Sequence, residues 1–204
     1  MKQYSNTRFL FTCFSIILVC SLIASLIQSD FGRVEVNSVK LSTQKGQHLV
    51  FDLYKPNLAT KENKLPFIVV VPGFQRSKEA LSNISIELSR RGMVIALIDP
   101  YAQGLSSSSR SKRSATTEGY GMFYLVEQAH SGNFLNYIDT SKIASTGHSM
   151  GGNAAIRGAN YFGKEAIKNN EPSKLHSVFV SGYVLTLQDK VLKDIRSNVG
   201  VSYA

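Results

Sequence analysis

Cysteine is nearly absent: the chain has two, Cys13 and Cys20, and both fall inside one apolar run near the N-terminus. The rest of the sequence therefore has no thiol for a disulfide framework and no Cys/His spacing of the kind that holds zinc. No metal and no cofactor are expected. Acidic residues are also scarce, with 14 Asp and Glu against 23 Lys and Arg, a net charge of +9. That surplus permits contact with anionic headgroups or nucleic acid without specifying either. The tightest basic group, Arg110, Lys112 and Arg113, lies in a Ser-rich stretch with no interleaved aromatic residue. No nucleic-acid motif accompanies it, so a solvated loop is the reading and nucleic-acid binding is not expected. There is no internal repeat.

Charge is missing altogether from residues 9–27, a run rich in Leu, Ile, Phe and Val. At 1.5 Å per residue such a helix spans about 28 Å, close to one hydrocarbon thickness. Lys2 and Arg8 precede it, which favours a cytoplasmic N-terminus and export of the residues C-terminal to the run. A cleaved signal peptide is the second reading. Its apolar region would be long, and Ile23-Ala24-Ser25 is a poor cleavage site. The bulky Val19 before Cys20 speaks against a lipoprotein signal. Residues 1–30 are thus expected to be an uncleaved signal anchor. It would hold a domain at 31–204 on the extracytoplasmic side of the cell membrane, as a single-pass protein. That remainder suits one domain and is too short for two.

Residues 33–43 and 48–54 alternate apolar and polar, predicting two antiparallel strands joined by a turn at Gln44-Lys45-Gly46. Residues 66–71, 93–98, 142–146 and 177–181 are short apolar runs of the kind buried on both faces of a parallel sheet. A fifth such strand starts at Asn198. Helices are predicted between them: one capped by Ser77 with Ala80, Leu81, Ile84 and Leu88 on one face, then 118–134, 151–162 and a short one at 187–195. Residues 106–117 are low in apolar content and read as a mobile excursion. Strands alternating with helices at this spacing indicate an α/β fold, a mostly parallel sheet with helices on both faces.

The informative segment is Gly147-His148-Ser149-Met150-Gly151, a G-x-S-x-G between a predicted strand and a predicted helix. A chain that reverses within a few residues has no room for side chains at Gly147 and Gly151. Ser149 would be held in a strained conformation with its hydroxyl presented at the sheet edge. The next helix aims backbone N–H groups and its positive dipole end at a developing oxyanion.

On this segment the chain resembles the α/β-hydrolase superfamily, and within it the dienelactone-hydrolase-like and acyl-peptidase-like serine hydrolases. The resemblance covers about residues 48–204. Pro72-Gly73-Phe74 stands where the family places its first oxyanion loop, with Pro72 in place of the usual His. Asp99 to Ser106 is similar to the family's D-x-x-G-x-G-x-S turn, Gly104 and Ser106 matching and Ala102 replacing the first Gly. The resemblance implies Ser149 as nucleophile and the backbone N–H groups of Phe74 and Met150 as the oxyanion hole. It also implies the order Ser, then a carboxylate, then His.

None of the four histidines reads as the base. His148 points away from its neighbour on a tight turn, and His130 lies on the preceding helix. His48 and His176 fall at strand beginnings, at the edge far from Ser149. Asp189 and Asp194 come too early to be the acid. The sequence stops at Ala204 inside what reads as the strand before the acid, so acid and base are expected outside this fragment, which alone would be inactive. The residues leave two functions open. One is a membrane-anchored serine hydrolase taking a small-molecule or peptide acyl substrate, an ester, thioester or amide. The other is a non-catalytic hydrolase-fold module that binds or interacts at the membrane.

Overall fold

The computed structural model describes residues 2–43, 46–107, 118–132, 134–182 and 192–202. The first element is a helix, α1 (Lys2–Gln28), followed by two strands, β1 (Val34–Ser42) and β2 (His48–Pro56). Then come β3 (Leu65–Val71), α2 (Ser82–Arg90), β4 (Val94–Ile98), α3 (Met122–His130), β5 (Ile138–His148), α4 (Met150–Asn169), β6 (Ser177–Ser181) and β7 (Asn198–Ser202). The strands form a seven-stranded sheet in the order β1-β2-β4-β3-β5-β6-β7. From β4 to β7 all neighbours are parallel, while β2 runs antiparallel to both β1 and β4. The C-terminal ends of β3, β4, β5, β6 and β7 therefore share one edge, and β2 begins at that same edge.

The continuous apolar runs place β3 and β4 at the centre, where both sheet faces are covered. Every residue of β4 is buried. Phe67, Val69 and Val71, with Val94, Ala96 and Ile98, enter the larger core, against Leu125, Ala154, Ala155 and Phe162 of α3 and α4. Val70, Ile95 and Leu97 face the other way and pack with Leu81, Ile86 and Leu88. This alternation is the period-2 geometry of a strand, and it lets one short run stabilise two layers. The edge strand β1 shows the opposite pattern, mostly exposed.

Two predicted helices begin differently from their sequence patterns. The segment after Ser77 opens as a 3-10 turn (Lys78–Leu81) and becomes α-helical at Ser82, and Ser77 makes no capping bond. The Lys78 N–H is instead taken by the buried Asp99 carboxylate, at 2.8 Å. A carboxylate from another loop thus replaces the local cap. The helix expected at 118–134 is shorter, α3 proper being preceded by a 3-10 turn at Gly119–Gly121. Tyr120 and both flanking glycines have positive φ, which a continuous α-helix excludes. Strand β5 and helix α4 run longer than expected, at 138–148 and 150–169. The expected excursion keeps Ser106 as a fixed point: its hydroxyl donates to Asp99 C=O and accepts from Val50 N–H. The rest of that stretch, at 108–117, lies outside the described residues, as do Gln44 and Lys45 of the hairpin turn and most of the helix expected at 187–195.

Helix α1 is long and apolar enough to cross a membrane, with a mean hydropathy of 2.6 over its core and none of that core buried. It meets the domain through Arg90, whose guanidinium donates to Ile27 C=O at 2.9 Å and pairs with Asp30 at 3.1 Å. A chain shortened to begin at Ser29 is expected to keep the sheet. Its thermal midpoint should fall by no more than about 2–4 °C, the shift expected for about 1 kcal/mol in a domain of this size. A loss of cooperative unfolding in circular dichroism would show instead that α1 belongs to the folded core.

Candidate active site

Ser149 is the one residue between β5 and α4, at φ 53° and ψ −113°, a sparsely populated conformation for a residue with a Cβ. The backbone has no alternative there. A Cβ on Gly151 would lie 1.9 Å from Val71 C=O oxygen, and one on Gly147 would lie 2.4 Å from the Gly151 carbonyl carbon. The end of β3, the end of β5 and the start of α4 thus touch main chain to main chain. Ser149 is pinned from both sides: its N–H donates to Ser181 C=O at 3.0 Å, and its own C=O accepts from Asn153 N–H at 3.0 Å.

The loop after β3 lies beside this turn. A Cβ on Gly73 would come 3.6 Å from Ser149 Cβ and 3.5 Å from His148 C=O. Phe74, next in the chain, is 66% exposed. Phe74 and Met150 line one cleft of about 660 Å³, together with Arg76, Tyr101, Gln103 and Tyr120. The two residues expected to flank an oxyanion are therefore brought to a single concavity at the Ser149 edge. Burial, reinforced by Glu118, pushes the Tyr101 hydroxyl up to about 12, so this wall carries a neutral phenol at ordinary pH.

Asp99 is almost fully buried and links the segments next to the cleft residues Ser77 and Gly104. One carboxylate oxygen accepts from Lys78 N–H at 2.8 Å and the other from Leu105 N–H at 2.9 Å. A Cβ on Gly104 would lie 2.2 Å from that carboxylate, which explains why the turn needs glycine there. Ala102 stands at φ 63° where the resembling turn has its other glycine, so the chain carries a left-handed alanine at this point. The sequence motif pointed to this turn; the carboxylate's hold on both neighbouring loops was not legible in it, because the bonded partners are backbone groups.

The histidines divide by position. His176 precedes β6, at the edge away from Ser149, and its ring bonds the Ser177 hydroxyl at 2.8 Å. His130 bonds Lys174 C=O at 2.8 Å. His148 lies against Gly73 and Gly182, where a Cβ on Gly182 would be 2.6 Å from its Nε2. The expectation for His48 needs correcting: because β2 runs antiparallel, its start is at the Ser149 edge, not the far one. His48 is nonetheless three strands from β5, about 14 Å at the usual inter-strand spacing, and its Nε2 bonds Leu105 C=O at 3.1 Å. Among the described residues no side chain is hydrogen-bonded to Ser149 Oγ. Asp194 precedes β7, at the edge away from Ser149, and pairs with Lys164 at 3.9 Å. Asp189 lies outside the described residues. Among the described residues no three His, Cys, Asp or Glu side chains converge as a metal site.

Backbone strain at Ser149 makes a measurable prediction. Ser149→Gly removes the Cβ and is expected to raise stability by about 1 kcal/mol, strain relief exceeding the added chain entropy. Ser149→Ala keeps the Cβ and is expected to change stability little. Gly151→Ala should cost more than about 4 kcal/mol or prevent folding, since the new methyl meets main chain. Urea unfolding of the three variants checks this; equal stabilisation by Ala and Gly would show that the Ser149 backbone is not strained.

The chain matches the family model described as PET hydrolase-like over residues 22–194. Among solved structures it is similar to the α/β-hydrolase GrgF from Penicillium sp. sh18, with a TM-score of 0.58, 20% identity, and coverage of 73% of this chain and 46% of that one. It is similar to brefeldin A esterase, described as a bacterial homologue of human hormone-sensitive lipase, with a TM-score of 0.55, 15% identity, and coverage of 74% and 40%. Est1E from Butyrivibrio proteoclasticus, solved with ferulic acid, gives a TM-score of 0.55, 17% identity, and coverage of 71% and 52%. This chain spans about half the length of the structures it matches. A comparison with curated proteins finds no match. The sheet order, the strained serine between β5 and α4, and a family match over most of the chain agree, and the chain belongs to the PET hydrolase-like family of the α/β-hydrolase superfamily.

Proposed function

We propose that this chain carries the nucleophile half of a serine hydrolase that cleaves acyl compounds, with Ser149 attacking the carbonyl carbon. The observation that carries the reading is the single strained residue between β5 and α4, whose neighbours at 147 and 151 must be glycine. The N–H groups of Phe74 and Met150 serve as the oxyanion donors, a role supported by their place on one cleft and by their sequence neighbours Gly73 and Ser149 lying side by side. In the first step the Ser149 Oγ–C bond forms, the carbonyl oxygen takes negative charge, and the leaving group departs with the proton that Oγ gives up. Water then releases the acyl group and restores the hydroxyl. Esters are preferred over thioesters and amides as substrates: the family description names a PET hydrolase, one compared structure is an esterase by name, and another holds ferulic acid.

A base must take the Oγ proton for this chemistry to be fast. Among the described residues no imidazole is hydrogen-bonded to Ser149 Oγ, so the hydroxyl is expected to react slowly in this chain. The same observation supports the second reading, a hydrolase-fold module that binds an acyl compound without turning it over. A fluorophosphonate probe separates the two. Slow labelling that disappears in Ser149→Ala is expected, with p-nitrophenyl ester turnover no more than about 10³–10⁴-fold above the uncatalysed rate. Absence of labelling favours the binding module. Rapid turnover lost on Ser149→Ala would mean that a base reaches Ser149 from within the chain.

The exposed apolar α1 supports a signal anchor that keeps the domain at the outer face of the cell membrane. Alkaline carbonate extraction of membranes from expressing cells should leave the chain in the pellet, with its N-terminus intact by mass. Release into the supernatant, or a mature chain lacking residues before about 30, would replace the anchor with a cleaved signal peptide.

A further inference from the structure

Gln103 lies in the turn after β4 and takes no part in the chemistry described above. Its carboxamide reaches across to the loop after β3 and meets three backbone groups there. Gln75 N–H donates to Oε1 at 2.8 Å. Nε2 donates to Gly73 C=O at 3.1 Å and to Arg76 C=O at 2.9 Å. The amide can point only one way, since exchanging its oxygen and nitrogen would set an oxygen against two carbonyls and an NH₂ against an N–H.

The loop so held is bent into a shape its own residues resist. Gln75 stands at φ 55°, a left-handed conformation that costs a residue with a Cβ about 1–2 kcal/mol. Within the loop the main chain supplies one turn bond, Arg76 N–H to Gly73 C=O at 3.3 Å. Gly73 C=O and Phe74 N–H belong to the same peptide plane, and in a trans peptide the two point in opposite directions. Anchoring the carbonyl on Gln103 therefore aims Phe74 N–H away from Gln103. Gly73 itself lies beside Ser149.

We propose that Gln103 is the positioning residue of the oxyanion loop: its carboxamide sets the direction of Phe74 N–H, and a neutral side chain of this length is required. The proposal rests on the reading of Phe74 as an oxyanion donor. Gln103 touches no reacting atom, and its effect passes through the Gly73–Phe74 peptide. A glutamate keeps the acceptor for Gln75 N–H but turns the two donors into a carboxylate facing two carbonyls. An alanine loses all three bonds.

The full chain is compared with Gln103→Ala and Gln103→Glu by amide hydrogen exchange, thermal unfolding and the rate of Ser149 labelling by a fluorophosphonate. In Gln103→Ala, exchange at Gln75 N–H is expected to rise about ten-fold, as for loss of one net hydrogen bond. Saturated labelling should fall by about 10- to 10²-fold, short of losing an oxyanion donor outright. The probe concentration for half-saturation stays unchanged. In Gln103→Glu, Gln75 should keep most of its protection while labelling falls as far as in the alanine variant. A purely structural staple would lower the thermal midpoint and leave the labelling rate of the folded protein alone, and that result overturns the proposal. Unchanged exchange at Gln75 in Gln103→Ala overturns it as well. If the wild-type chain is not labelled at all, the nucleophile reading fails separately, and the exchange data alone then decide whether Gln103 holds the loop.

Discussion

The rest of this structure depends on a contact between two main chains. The last carbonyl of β3, at Val71, occupies the space that a side chain at Gly151 would need. That closeness is possible because β3 and β5 are adjacent parallel strands whose ends arrive together at the same edge. It forces the chain leaving β5 to turn within one residue, and that residue is Ser149. The strain at Ser149 comes from packing around it, since the surrounding hydrogen bonds to Ser181 and Asn153 leave no room for relaxation. A buried sheet of Val, Ile and Phe side chains supplies the rigidity that holds such a conformation.

Around this contact, polar side chains from one loop hold the backbone of the next. Asp99 joins the start of the α2 segment to the turn at Leu105, and Gln103 joins that turn to residues 73–76. Loops at a sheet edge contribute few apolar contacts, so their shape has to come from bonds of this kind. The same loops hold conformations that a residue with a Cβ disfavours, at Gln75, Ala102 and Tyr120, all with positive φ. The cleft is thus a set of individually unfavourable turns made stable together.

Helix α1 and the residues of the sheet distribute their apolar side chains differently. Helix α1 exposes its apolar residues on every side, whereas the domain buries its own in two layers on either face of the sheet. Arg90, bonded to Ile27 and Asp30, stands at the junction.

Much of this was determined by the sequence alone. The apolar runs at 66–71 and 93–98 were legible as strands buried on both faces, and the alternating runs before them as an antiparallel hairpin; the run at 142–146 is a strand too, but it buries Ile143 and Ser145 on one face and leaves Ala144 and Thr146 partly exposed on the other. The G-x-S-x-G segment located the turn because its glycines reflect a steric demand that local pattern already encodes. Helix α1 was legible for the same reason: an uncharged run of that length has one physical solution. What the tertiary structure decided was everything set by strand order and by side chains meeting backbone across loops. His48 sits at the Ser149 edge because β2 runs antiparallel, a fact no residue of β2 announces. Asp99, not Ser77, receives the first N–H of the α2 segment because the two loops lie side by side in space. Gln103 falls in a turn whose sequence motif concerns its glycines, and its three partners lie about 30 positions away along the chain. Local propensity and periodicity act over a few residues, whereas these bonds depend on which strands the folded sheet makes neighbours.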